Sequence, residues 1–77
     1  MMSLEEFNGM VFFAVGIHTA GLVKSGLVEN FDTNDLIPKI SETLPEFYKF
    51  DAKNTDSEVD ANAIRFYHKK LIEWYGV

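Results

Sequence analysis

Oxygen-bearing side chains alternate in the second half of the chain, and they are the first pattern that could do chemistry. Four such residues from Asp56 to Asn62 occupy every second position, a spacing shared with the oxygen ligands of an EF-hand calcium loop. That loop needs glycine at its sixth position and a bidentate glutamate at its twelfth, whereas Ala61 and Tyr67 stand there. The acids are therefore interpreted as the first turn of a helix, and no metal is predicted.

The two histidines are the other candidate metal ligands. Neither His18 nor His68 has a second histidine or a carboxylate three or four residues away, as a site on one helix would need. His18 falls on an apolar helix face and is expected as a buried neutral imidazole bonded to a carbonyl or hydroxyl. His68 lies at the edge of an apolar face, and the two could approach if their helices packed antiparallel.

Nucleophilic catalysis lacks the residues that it needs. The chain has no cysteine, and no serine lies in a nucleophile-elbow motif or close to a histidine along the sequence. The glycines are spread out rather than gathered after a strand, so a phosphate-binding loop is absent too. A chain of 77 residues also has little room for a substrate pocket beside its core. We expect no enzymatic activity and no cofactor.

Charge narrows the choice of partners. The formal net charge is −5, and residues 29–60 carry −6 while residues 61–77 carry +2. Because nucleic-acid binding depends on clustered Lys and Arg, nucleic acid is not an expected partner. The acidic and basic segments either lie side by side as weakly paired neighbours, or the acidic middle faces a basic partner. The absence of cysteine and of an export signal predicts a cytoplasmic protein.

The first predicted helix, over residues 4–25, has signals at both ends. Ser3 and Glu6 form a capping box, in which each side chain bonds the other residue's backbone N–H. Lys24 suits the negative end of the helix dipole, and Gly26 can adopt the left-handed conformation that ends a helix.

Apolar residues surround this helix almost completely, which is typical of a helix buried from several directions. They are Leu4, Phe7, Met10, Val11, Phe13, Ala14, Val15, Ile17 and Leu22. A three-helix protein has too few neighbours to cover them all, so the pattern indicates a dimer or another protein partner. Gly9, Gly16 and Ala20 share one side, where a second backbone could pack closely.

Two alternative interpretations of the same segment stay open at this stage. Residues 10–17 could form a buried strand, because Val, Phe and Ile favour sheets. Residues 9–23 could anchor the protein in a membrane, although bordering Asn8 and Lys24, with His18 and Thr19 inside, disfavour a span.

Two further main helices are predicted. The second covers residues 34–43: it is capped by Asp32, Thr33 or Asn34, tolerates Pro38 only in its first turn, and is ended or kinked by Pro45. A short aromatic helical extension follows at 46–50, then an exposed loop at 51–56. The last helix covers residues 57–75, is capped by Ser57, and has Asn62 and Arg65 on its polar side. The predicted fold is all-α, a single domain over residues 1–77 built as a small bundle.

The function predicted from these patterns is that of a small protein-interaction module. It would self-associate or dock on a protein partner through exposed aromatic and apolar side chains, since binding energy concentrates in a few large residues. The candidate binding residues are Phe13, Phe66, Ile72 and Trp74. The alternatives are an acidic decoy that binds a basic protein surface and a small membrane-associated protein.

Overall fold

A computed structural model describes all 77 residues as three α-helices joined by short loops. The helices are α1 (Leu4–Lys24), α2 (Thr33–Lys53) and α3 (Val59–Tyr75). The small all-α bundle is thus confirmed. The alternative of a buried strand at residues 10–17 is wrong, because that whole segment lies inside α1.

Both ends of α1 form as the sequence predicts. The Ser3 hydroxyl accepts from the Glu6 N–H at 3.1 Å, and Glu6 accepts from the Ser3 N–H at 3.4 Å. At the other end Gly26 has φ +81°, and the Leu27 N–H donates to the Leu22 carbonyl at 3.0 Å. This is a Schellman motif, and it turns the chain toward α2.

The second helix corrects three expectations about the middle of the chain. α2 continues without interruption from Thr33 to Lys53, so residues 34–43 and 46–50 are one helix, and the loop before α3 is limited to residues 54–58. Pro38 lies in the second turn of α2, beyond the first turn to which it was assigned.

Neither proline breaks α2, and their positions explain why. Pro38 and Pro45 remove the N–H donors for the carbonyls of Asn34 and Ser41, but both carbonyls belong to exposed residues that water can reach. On the inner side, the fully buried Phe47 packs in the core just beyond Pro45 and holds that turn of the helix in place.

The start of α3 differs from the sequence prediction. Glu58 occupies the N-cap position without a side-chain cap, while the Ser57 hydroxyl instead accepts from Arg65 at 2.8 Å. Asn62, expected on the polar side, is fully buried. Its amide donates to Asp51 at 2.8 Å and to the Asn54 carbonyl at 2.9 Å, which ties α3 to the end of α2.

The helices alternate in direction, so α1 and α3 run parallel with α2 antiparallel to both. Val28, just after α1, bridges to Gly76, just after α3. Tyr48 near the end of α2 donates to Asn8 near the start of α1 at 2.8 Å. Between the helices lies one core, which consists of Val11, Ala14, Val15, Leu22, Val28, Leu36, Ile40, Leu44, Phe47, Ala63, Tyr67 and Leu71.

Candidate interaction surface

The outer side of α1 carries large apolar side chains that no other part of the chain covers. Phe13 is 70% exposed, Ile17 60% and Met10 37%. No Asp, Glu, Lys or Arg occurs between Glu6 and Lys24. We call the stripe of α1 that faces away from the core the outer seam; it consists of Glu6, Met10, Phe13, Ile17, Ala20 and Lys24.

The outer seam is exposed because α2 and α3 pack against the opposite side of α1. Val11, Val15 and Leu22 on that side are buried in the core. In a three-helix bundle, each helix packs against its two neighbours on one side. The side chains that point away from both neighbours stay exposed to water. Because α1 carries apolar side chains on its inner and on its outer side, those on the outer side stay uncovered.

The helical glycines of α1 face open space. A Cβ atom added at Gly9, Gly16 or Gly21 would have no neighbour within 4 Å beyond the local helix. Each glycine in a helix interior is less favourable than alanine by about 1 kcal/mol. The close packing that these small residues suggested does not occur within the chain, so the chain itself offers no packing reason for them.

A shallow groove extends the outer seam toward α3. It is lined by Met10, Phe13 and Ile17 from α1, and by Asp60 and Ile64 from the first half of α3. The groove is mostly apolar, and the Asp60 carboxylate is the one charged group in its lining. The uncovered apolar surface is thus a little wider than one helix face.

The four residues singled out from the sequence divide into two groups. Phe13 and Ile72 are exposed, by 70% and 38%. Phe66 and Trp74 are half-buried and pack against the core. The structure does not bring Phe13 together with the other three, which lie on α3.

Phe66 and Trp74 belong to a chain of aromatic contacts that joins α2 to α3. The Phe66 ring lies 5.6 Å from Phe47, 5.4 Å from Phe50 and 5.0 Å from Tyr67, measured between centroids. Trp74 lies 6.5 Å from Tyr67. Rings at these separations stabilise each other in tilted or edge-on arrangements, so both residues have a packing role inside the bundle.

His18 and His68 meet across α1 and α3, although these helices run parallel rather than antiparallel. His18 Nε2 lies 2.9 Å from His68 Nδ1, and the two rings share a hydrogen bond. His18 is half-buried and His68 exposed, so the expected carbonyl or hydroxyl partner is replaced by a second imidazole. Burial, and secondly repulsion from His68, lowers the pKa of His18 below its ordinary value.

Polar and charged side chains of α2 also pair with side chains of α3. The Tyr75 hydroxyl donates to Asp35, and this bond, followed by Lys39, lowers the pKa of the Asp35 carboxyl. Burial and the same carboxylate raise the pKa of Tyr75. Glu46 pairs with Lys70 at 3.3 Å, which places part of the acidic middle segment beside the basic last helix.

No protein-family model, curated protein or solved structure matches this chain. No cluster of three or more histidine and acidic side chains could hold a metal ion. By length and composition α1 could cross a membrane, with a mean hydropathy of 1.3, a condition that apolar helices of water-soluble bundles also meet.

Proposed function

We propose that this protein is a small interaction module that works by self-association, with the outer seam of α1 as its contact surface. The observation that carries the proposal is the exposure of Phe13 and Ile17, which lie one turn apart on α1. No charged residue lies between Glu6 and Lys24 at the two ends of this helix. Exposed apolar patches bordered by polar residues mark interaction sites on soluble proteins.

Burial of the outer seam would supply free energy for self-association. Full burial of one Phe or Ile side chain is worth about 1.5–3 kcal/mol. In a twofold dimer the same patch of both copies takes part, so each of these side chains is buried once in each copy. Against this stands the loss of free translation and rotation, about 4–15 kcal/mol. The two amounts are of similar size, so a dimer formed through this surface has moderate rather than high affinity.

A second copy suits the outer seam better than a bilayer does. Insertion of α1 into a membrane would remove Val11, Val15 and Leu22 from the core, and with them the contacts that hold α2 and α3 together. The formal charge of −5 also opposes adsorption to anionic lipid. A second copy covers the outer seam and leaves the core intact.

The acidic decoy has weaker support, because two of the acids it would use are engaged within the chain. Glu46 pairs with Lys70, and Asp51 accepts from the buried Asn62. The two functions also differ in how they respond to salt. Apolar self-association persists at high ionic strength, whereas binding of an acidic surface to a basic partner weakens as screening increases.

Sedimentation equilibrium of the wild type and of two matched variants tests the proposal. Ile17→Asn places an amide in the outer seam, while Ile37→Asn makes the same change on α2, at a side chain that is 51% exposed. Wild type and Ile37→Asn are expected to form dimers at micromolar concentration. Ile17→Asn is expected to bind its copy at least tenfold more weakly, a difference of about 1.4 kcal/mol or more.

Both variants should keep the fold, because both substituted side chains are exposed, and circular dichroism checks this. A wild type that is monomeric up to millimolar concentration would overturn the proposal. So would equal dimerisation of the two variants. Flotation of the wild-type monomer with phosphatidylcholine vesicles would assign the outer seam to a membrane instead.

A further inference from the structure

The spacing of the outer seam is symmetric along the helix. Its six residues follow one another at intervals of four, three, four, three and four, which is the heptad spacing of a coiled-coil contact. Reversal of the chain direction leaves this series unchanged. Two copies of the seam can therefore lie antiparallel, with every seam position of one opposite a seam position of the other.

The residues that meet in this arrangement complement one another. Two residues that face each other lie the same number of positions before and after residue 15. Phe13 therefore faces Ile17 of the second copy, and Met10 faces Ala20. Each large side chain thus meets a smaller one. Gly16 lies beside the twofold axis, where a Cβ would have open space within one chain, and its lack of a side chain lets the two backbones approach.

The charges at the two ends of the seam select the same orientation. Antiparallel copies place Glu6 opposite Lys24 of the second copy, twice in the dimer, whereas parallel copies place Glu6 opposite Glu6 and Lys24 opposite Lys24. Lys24 forms no ion pair within its own chain, since the two salt bridges of the structure are Lys39–Asp35 and Lys70–Glu46. Opposed helix dipoles add to the preference.

We infer that two copies of this chain form an antiparallel twofold dimer through α1, in the register that sets Met10 against Ala20 and Glu6 against Lys24. This inference rests on the proposed function and adds to it the orientation and the register. The occupant of the outer seam is thereby specified as a second copy of the same surface.

Disulfide formation between introduced cysteines tests orientation directly, because the natural chain has no cysteine. A mixture of Met10→Cys and Ala20→Cys chains should form the mixed disulfide under mild oxidation. Met10→Cys alone should not, since its two thiols would lie about 15 Å apart along the antiparallel helices. Cross-linking of Met10→Cys with itself at a rate equal to the mixture's would overturn the inference.

Charge reversal gives a second test, with the dissociation constant as its readout. Lys24→Glu should weaken the dimer roughly fivefold, because two opposite-charge pairs become like-charge pairs. Glu6→Lys should act in the same direction, and an equal mixture of the two variants should recover the wild-type affinity. Lys49→Glu on α2 is the control and should leave the dissociation constant unchanged.

The outcomes separate the inference from the proposed function. In a parallel dimer, like charges face each other in the wild type and in each single variant. If Lys24→Glu and Glu6→Lys dimerise with the wild-type dissociation constant, the antiparallel orientation is overturned while self-association stands. A wild type that sediments as a monomer would overturn both.

Discussion

Protonation of the His18 side chain is coupled to folding. Its pKa is lowered in the folded protein, mainly by burial and then by His68. The unfolded chain, with an ordinary histidine pKa of about 6.5, therefore binds a proton more readily than the folded chain does. The stability is fully present above that value and decreases as the pH falls through it.

We expect the free energy of unfolding to fall between pH 7.5 and pH 5.5, and His18→Gln to show a flatter dependence. His68→Gln should keep part of the slope, because burial is the larger cause and remains in that variant. Carboxyl groups titrate mostly below this range, and that of Asp35 is lowered further. Urea unfolding at three pH values measures the effect, and equal slopes for wild type and His18→Gln would contradict it.

Single residues show most clearly where sequence reasoning stops. The cap of α1 was predictable because Ser3, Glu6 and Gly26 act within one turn of their own positions. The burial of Asn62 was not, because its partners Asp51 and Asn54 lie across a loop on another helix. A polar residue can be buried when its hydrogen bonds are satisfied, and the pattern along one helix does not reveal those bonds.

At the level of helices, α2 was the least predictable element. Local rules for Pro45 indicate a break, but packing of Leu44 and Phe47 on either side of it overrides the rule. The meeting of His18 with His68 also depended on a helix direction that sequence alone leaves open. The excess of apolar surface on α1, in contrast, followed from counting positions around one helix, and the exposure of Phe13 and Ile17 agrees with it.

The glycines of α1 allow a prediction about helix stability. Gly9→Ala should raise the free energy of unfolding by about 0.5–1 kcal/mol, because the added methyl group meets no other atom. Gly26→Ala is the matched comparison and should lower it by about 1–2 kcal/mol, since Gly26 has φ +81°. Thermal unfolding at one fixed protein concentration measures both, and a loss of stability in Gly9→Ala would contradict the open space around it.

For the molecule as a whole, the small size of the core and the exposure of the outer seam both bear on stability. Three helices of this length bury twelve core residues between them, and small single cores have little stability in reserve. No disulfide is available to add to it. Burial of the outer seam by a second copy would raise the stability of each chain, and this effect depends on concentration.

The melting temperature should therefore increase with protein concentration once dimers form. Binding to the folded chain alone stabilises it by mass action, and for a domain of this size a tenfold increase in concentration should raise the melting temperature by about 3–5 °C. Ile17→Asn should show this increase only at concentrations at least tenfold higher, while Ile37→Asn should follow the wild type. Calorimetric scans from micromolar to millimolar concentration measure this. A wild-type melting temperature independent of concentration would show that the bundle reaches its full stability as a monomer.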